Sequence, residues 1–137
     1  VCVLDASVAL EIVFPFATAD LRHLARLFRQ GGASVPEIWH WETTNAVLKA
    51  ERRRAIPSTA VDLTLKALAA FVDTTEMMGA ELSIPPLVDV ARNARLSLFD
   101  AAYLDLADRT GLPLATLDSG LAAAARAAGI PLLALTP

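Results

Sequence analysis

Cysteine is almost missing from this chain, with Cys2 as its single thiol. No internal disulfide can form, and a reducing, cytoplasmic compartment is expected. In the apolar run Val1-Cys2-Val3-Leu4, that thiol reads as an inert core residue. Long hydrophobic runs are lacking too. None reaches the roughly 18 residues of a membrane-spanning helix, so no membrane partner is expected. A signal peptide is not expected either, because no basic stretch precedes the first apolar run and Asp5 interrupts it. The first residue is not methionine, so the numbering is expected to begin slightly inside the gene product. Positive charge is scarce: 12 Lys and Arg against 15 Asp and Glu leave a net charge of −3. That excludes a basic nucleic-acid coat protein, and contact with RNA or DNA would need local basic patches or bound cations.

Several catalytic signatures are absent as well. There is no Walker loop, no G-x-G-x-x-G and no H-E-x-x-H. There is no G-x-S-x-G elbow, and one cysteine cannot supply the P-C-x-x-C half of a zinc deaminase site. A phospho-aspartyl enzyme fits poorly. Asp5-Ala6-Ser7 lacks a second aspartate two residues on, and Lys49 and Lys66 do not suggest the usual partner.

What is present is apolar. Hydrophobic residues make up 55% of 137 residues, enough for one domain over 1–137 with a substantial core and some apolar surface left for a partner. Short apolar runs at 1–4, 33–35, 112–116 and 130–135 read as buried strands. Helical patterns at 18–30, 36–54, 60–72, 86–94, 98–110 and 121–128 alternate with them. The alternation predicts an α/β fold with a parallel sheet covered on both faces. Leu21, Leu24, Ala25, Leu27 and Phe28 are the expected apolar face of the first long helix, with Arg22, Arg26 and Arg29 as a solvated row. Trp41, Val47, Leu48 and Ile38 are expected to pack the second, with His40 structural. Residues 73–83 either extend a helix or form a strand and turn. Ile84-Pro85-Pro86 is expected to break the chain before a short helix. No linker, internal repeat or low-complexity segment interrupts the chain.

Four carboxylates stand at the punctuation of this pattern. Asp5 ends the first apolar run, and Asp118 follows Leu114-Ala115-Thr116-Leu117. Glu42 lies in the opening turns of the helix that starts after Ser34-Val35-Pro36-Glu37. Asp100 follows Ser97 by three residues, as in a capping box, and so falls in the first turn of the helix carrying Leu98, Phe99, Ala102, Tyr103, Leu106 and Ala107. In open α/β sheets, ligands bind outside the carboxyl ends of strands. One acid there is ordinary and caps a helix; four suggest a shared site. Glu42, Asn45 and Lys49 share a helical face, so Glu42 either holds a metal-bound water with Asn45 or joins Lys49 in a surface stripe. Oxygen-only donors suit Mg²⁺ or Mn²⁺, and such a site can activate water against a phosphodiester. Arg52-Arg53-Arg54 caps a helix dipole and is also the best basic patch in the chain.

The pieces Val3-Leu4-Asp5-Ala6-Ser7, Pro36 with Glu42-Thr43-Thr44-Asn45-Ala46-Val47-Leu48, Leu96 through Leu104, and Leu114-Ala115-Thr116-Leu117-Asp118 with Gly129-Ile130 occur in that order over nearly the whole chain. In these pieces the chain resembles a PIN-domain ribonuclease, most closely the VapC-type toxins of bacterial toxin–antitoxin pairs. The resemblance implies a three-layer α/β/α sandwich with a central parallel sheet. It implies Mg²⁺- or Mn²⁺-dependent RNA cleavage that leaves a 5′-phosphate and a 3′-hydroxyl. Asp5, Glu42, Asp100 and Asp118 would form the acidic cluster, with Asp5, Asp100 and Asp118 on the metal. Ser7, Asn45 and Thr116 would be polar helpers, and Arg52, Arg53 and Arg54 could guide the RNA. A homodimer and an antitoxin tail over the active site are also implied. The segment Glu11 to Phe16 is more aromatic than that pattern and is either a dimer or antitoxin contact or core; Asp105 and Asp108 read as surface charges. The alternatives are a non-cleaving RNA- or protein-binding scaffold and a metal phosphohydrolase acting on DNA flaps or nucleotides.

Overall fold

Four short strands form in a computed structural model that describes residues 1–136, with 80–82 described by backbone alone. They are β1 (Cys2–Leu4), β2 (Ala33–Pro36), β3 (Val72–Glu76) and β4 (Leu114–Ala115). All pair in parallel, in the order β3-β2-β1-β4. The helices are α1 (Ala6–Val13), α2 (Arg22–Gly31), α3 (Ile38–Arg52), α4 (Val61–Ala69), α5 (Ala80–Ala94), α6 (Leu98–Thr110) and α7 (Ser119–Ala127), and a 3₁₀ turn at Ser58–Ala60 leads into α4. Helix α1 packs against α2, α3 and α4, while α6 lies against β1, β2 and β4 and packs against α5 and α7. The result is an α/β fold consistent with a three-layer α/β/α sandwich.

The central strand β1 is wholly buried, and its residues join Val8, Phe28, Val35, Trp39, Val47, Phe71, Tyr103, Leu114 and Leu121 in one core. Burying each such aliphatic or aromatic side chain contributes about 1.5–3 kcal/mol. Cys2 sits in that core, where burial pushes its thiol up to about 11 and so disfavours the nucleophilic thiolate. Among the described residues no helix is long and apolar enough to cross a membrane.

Several elements differ from the sequence expectation, each for a local reason. The first long helix begins at Arg22, not Thr18, because the Glu11 carboxylate accepts the backbone N–H groups of Thr18 and Ala19 at 2.8 and 2.7 Å and holds that stretch as a loop. Leu27 on α2 and Phe99 on α6 are exposed rather than part of the buried faces. Pro36 ends β2 instead of starting a helix. On α3 the buried stripe is Trp39, Thr43, Val47 and Ala50, at helical spacing, which leaves Trp41 and Leu48 outside the core. The helix expected to run to Val72 stops at Ala69, and Val72, Thr74 and Thr75 favour the strand β3. Of the two readings of 73–83, the strand one fits 73–76, but from position 80 the stretch is already helix α5 and not a turn. Pro85 and Pro86 do not break the chain, since they lie in the second turn of α5 and eight further residues continue the helix. The stretch 130–135 is no full strand. Only Leu132 bridges Leu114, because β4 is two residues long and Pro131 has no N–H to give.

Candidate active site

Parallel register sets Leu4 beside Ala115. The next residues, Asp5 and Thr116, therefore leave the carboxyl edge of the sheet side by side. Thr116 Oγ1 donates to Asp5 Oδ2 at 2.7 Å, and Ser7 Oγ donates to the same oxygen at 2.6 Å. Such short O–H···O contacts are those of hydroxyls donating to a carboxylate. The two hydroxyls also fix the following loop: Ser7 Oγ accepts the Leu117 N–H at 3.0 Å and Thr116 Oγ1 accepts the Asp118 N–H at 3.0 Å. Asp5 is the N-cap residue of α1, as expected, but its side chain makes no capping hydrogen bond. Asp118 does cap: its Oδ1 accepts the Leu121 N–H at 2.8 Å at the start of α7.

The other two acids come from helices. Glu42 is the fifth residue of α3 and half-buried. Its Oε1 accepts the hydroxyl of Tyr103 at 2.7 Å. Tyr103 is fully buried on α6, three residues beyond Asp100 and so on the same side of that helix. Asp100 lies in the first turn of α6, where Ser97 Oγ accepts its N–H at 3.1 Å; only that half of the expected capping box forms among the described residues.

Burial and mutual repulsion act on these carboxyls together. Burial pushes Asp5 up, the Ser7 and Thr116 hydroxyls pull it back, and the Asp118 charge pushes it up again. Burial raises Glu42, the Tyr103 hydroxyl opposes that, and the charges of Asp5 and Asp100 add to it. Asp100 is raised by burial and by the charges of Asp118 and Asp5, with Ser97 opposing. Each of the four predicted acids thus comes within electrostatic reach of at least two of the others, although Asp5 and Asp118 stand 113 positions apart in sequence.

Among the described residues, no three Asp, Glu, His or Cys side chains are grouped closely enough to hold an ion by themselves. Mg²⁺ is ordinarily held by one or two carboxylates and keeps several waters. The donor set here, carboxylate oxygens whose protons are held by burial and by like charge, fits that chemistry without forming a closed protein cage.

Other predicted residues lie elsewhere. Asn45 makes no hydrogen bond to the four acids among the described residues and borders a shallow cavity with His40, Trp41, Thr44 and Leu48. Arg52, Arg53 and Arg54 are exposed at the far end of α3, about 15 Å along the axis from Glu42 at 1.5 Å per residue. Asp108 is exposed as expected, but Asp105 is half-buried and pairs with Arg109 at 2.7 Å. Arg109 also holds Glu76 at the end of β3. Phe14 packs on the core with Phe16 stacked on it at 4.7 Å, and Phe16 remains exposed. Tyr103 is the site residue that the sequence reading missed. The signal was there, since a tyrosine inside an apolar helical stripe needs a partner for its hydroxyl.

No family model matches the chain, and no curated protein does. Among solved structures it is similar to the crystal structure of PAE2754 from Pyrobaculum aerophilum, with a TM-score of 0.71 at 21% identity over 90% of this chain and 78% of that one. At that identity the likeness is one of fold.

Proposed function

We propose that the chain is a Mg²⁺- or Mn²⁺-dependent endoribonuclease with a PIN-like fold, of the kind neutralised by an antitoxin. The observation that carries this reading is the mutual electrostatic influence of Asp5, Glu42, Asp100 and Asp118, from four separate stretches, with Asp5 leaving the carboxyl edge of a parallel sheet and Asp5, Glu42 and Asp100 raised by burial and then by the neighbouring carboxylates. Asp5, Asp100 and Asp118 would hold the cation, directly or through water. When bound, it supplies charge neutralisation for a phosphodiester and acidifies water. The protein's own groups do the positioning. Ser7 and Thr116 fix the Asp5 carboxylate, and Tyr103 fixes Glu42. Glu42, half-buried and raised, accepts the proton of the attacking water. The water oxygen bonds to phosphorus in line as the bond to the 3′ oxygen breaks, and that oxygen takes a proton. The products are a 5′-phosphate and a 3′-hydroxyl.

A homodimer and an antitoxin covering the acids belong to the same reading. A panel of single-stranded RNA, DNA flaps and nucleotides, each with Mn²⁺, tests it. RNA cut internally to 5′-phosphate ends, with DNA and nucleotides untouched, is expected. Preferred hydrolysis of flaps or nucleotides would replace this reading with a different phosphohydrolase.

A further inference from the structure

Nine large hydrophobic side chains are exposed among the described residues, and three of them adjoin one acid each: Trp41 beside Glu42, Phe99 beside Asp100 and Leu117 beside Asp118. Trp41 is the most exposed of the nine, at 71%. It does not stand alone. Trp41, Asn45, Leu48 and Arg52 follow one another at intervals of four, three and four residues, so they form one straight stripe along α3. All are exposed, and a shallow cavity of about 420 Å³ opens beside Trp41, Asn45 and Leu48. The stripe ends in Arg52, Arg53 and Arg54, with Lys49 next to it and Glu51 as the one acid within 48–54. None of these four cations forms an ion pair among the described residues. In a chain of net charge −3, this is a local basic exception.

We infer that this stripe is a track for unpaired, single-stranded RNA, with a nucleobase stacked on Trp41 and phosphates on the arginine end. The inference rests on the nuclease reading and deepens it by placing the strand on one face of α3. An aromatic face joined to a basic run is the chemistry that binds single strands, because every base has a π-face and every nucleotide a phosphate. A base inside a duplex has both faces covered, so the indole selects RNA whose bases are splayed out. Asn45 and Thr44 lie beside Trp41 and offer amide and hydroxyl groups to a base edge. From Trp41 to Arg52 the helix rises about 16 Å, room for a few nucleotides of an extended strand.

Indole fluorescence tests this directly, because the chain has two tryptophans, Trp39 buried and Trp41 exposed. The Asp100→Asn chain, which should not cut, is titrated in Mg²⁺ with a short single-stranded oligoadenylate and with duplex RNA of equal length. Quenching by the single strand and little response to the duplex are expected. Trp41→Ala should weaken single-strand binding about 5- to 100-fold. Arg52→Ala with Arg53→Ala should weaken it and flatten its salt dependence, whereas Leu63→Ser, an exposed change on α4, should leave it as it was. Unchanged affinity in Trp41→Ala, or equal binding of duplex, would overturn the track. So would a blue shift of Trp41 emission with protein concentration alone, which would make the stripe a face between two copies, or protection of Trp41 only by an acidic peptide. If the wild-type chain still cut RNA in any of those cases, the nuclease reading would stand without the track. Trp41-dependent binding with no cutting would uphold the track and overturn the nuclease.

Discussion

A fully buried tyrosine has to find a partner for its hydroxyl, and Tyr103 finds Glu42 at 2.7 Å. Tyr103→Phe keeps the ring packing and removes that donor. Glu42 then holds its proton more tightly, so the acid limb of an RNA-cleavage pH profile should move to higher pH and the rate fall. Stability should drop by about 1–3 kcal/mol in denaturant unfolding. An unchanged profile would remove Tyr103 from the site. The acids carry a second prediction. Asp5, Glu42 and Asp100 are all raised in the folded chain. Raised carboxyls favour folding below their unfolded values, near about 4, and that contribution is lost as pH rises through the folded values. In chelator, the thermal midpoint of Asp100→Asn should therefore exceed that of the wild type at pH 7, and the difference should shrink toward pH 4. A lower midpoint for the variant at pH 7 would contradict the mutual repulsion. At this scale the sequence located the acids at strand ends and helix starts, and Asp5 and Asp118 are indeed the N-cap residues of α1 and α7. It was misleading about Trp41 and Phe99, whose apolar character says nothing about which helical face they occupy.

Elements are held by a few positions with no freedom. Gly32 ends α2 at φ +71° and ψ 161°, and a Cβ there would run into the Asp73 side chain on β3. Gly32→Ala combines a backbone region closed to other residues with overpacking of about 1–3 kcal/mol. Thermal unfolding of this variant should show a loss of at least that size, and a loss below about 0.5 kcal/mol would mean that the strand edge yields freely. Helix and strand existence was largely readable from periodicity, and the misreadings trace to tertiary contacts. Glu11 reaches seven residues ahead to hold Thr18 out of a helix. Pro85 and Pro86 would end an isolated helix, yet α5 continues through Ala94 and packs on α6. Ile130 to Leu135 has a strand's composition but only a two-residue neighbour to pair with. On α3, counting back from Val47 by helical spacing leads to Thr43 and Trp39, so the buried stripe was available in the sequence.

Across the whole molecule, parallel pairing is what turns distant residues into neighbours. The β1–β4 register brings Asp5 to Thr116, and the α3–α6 contact through Tyr103 ties Glu42 to the helix of Asp100. The α/β class followed from alternating runs, and similarity of fold to PAE2754 agrees with it. The convergence of the acids was an inference from where strands end, and no local pattern could supply the Tyr103 bridge, which spans 61 residues. The account's central claim is that Asp5, Glu42, Asp100 and Asp118 act as one cation-dependent centre that cuts RNA. Its most direct test is incubation of a structured RNA pool with the purified chain in Mg²⁺, in Mn²⁺ and in excess EDTA, beside Asp100→Asn, after any co-purified protein has been stripped away under denaturing conditions and the chain refolded. The account predicts cuts with either metal, none in EDTA, and a loss of at least about 100-fold in the variant, the scale of about 2.7 kcal/mol in the barrier. Cutting that survives EDTA or the substitution, or an inert wild-type chain that has refolded fully, would contradict it.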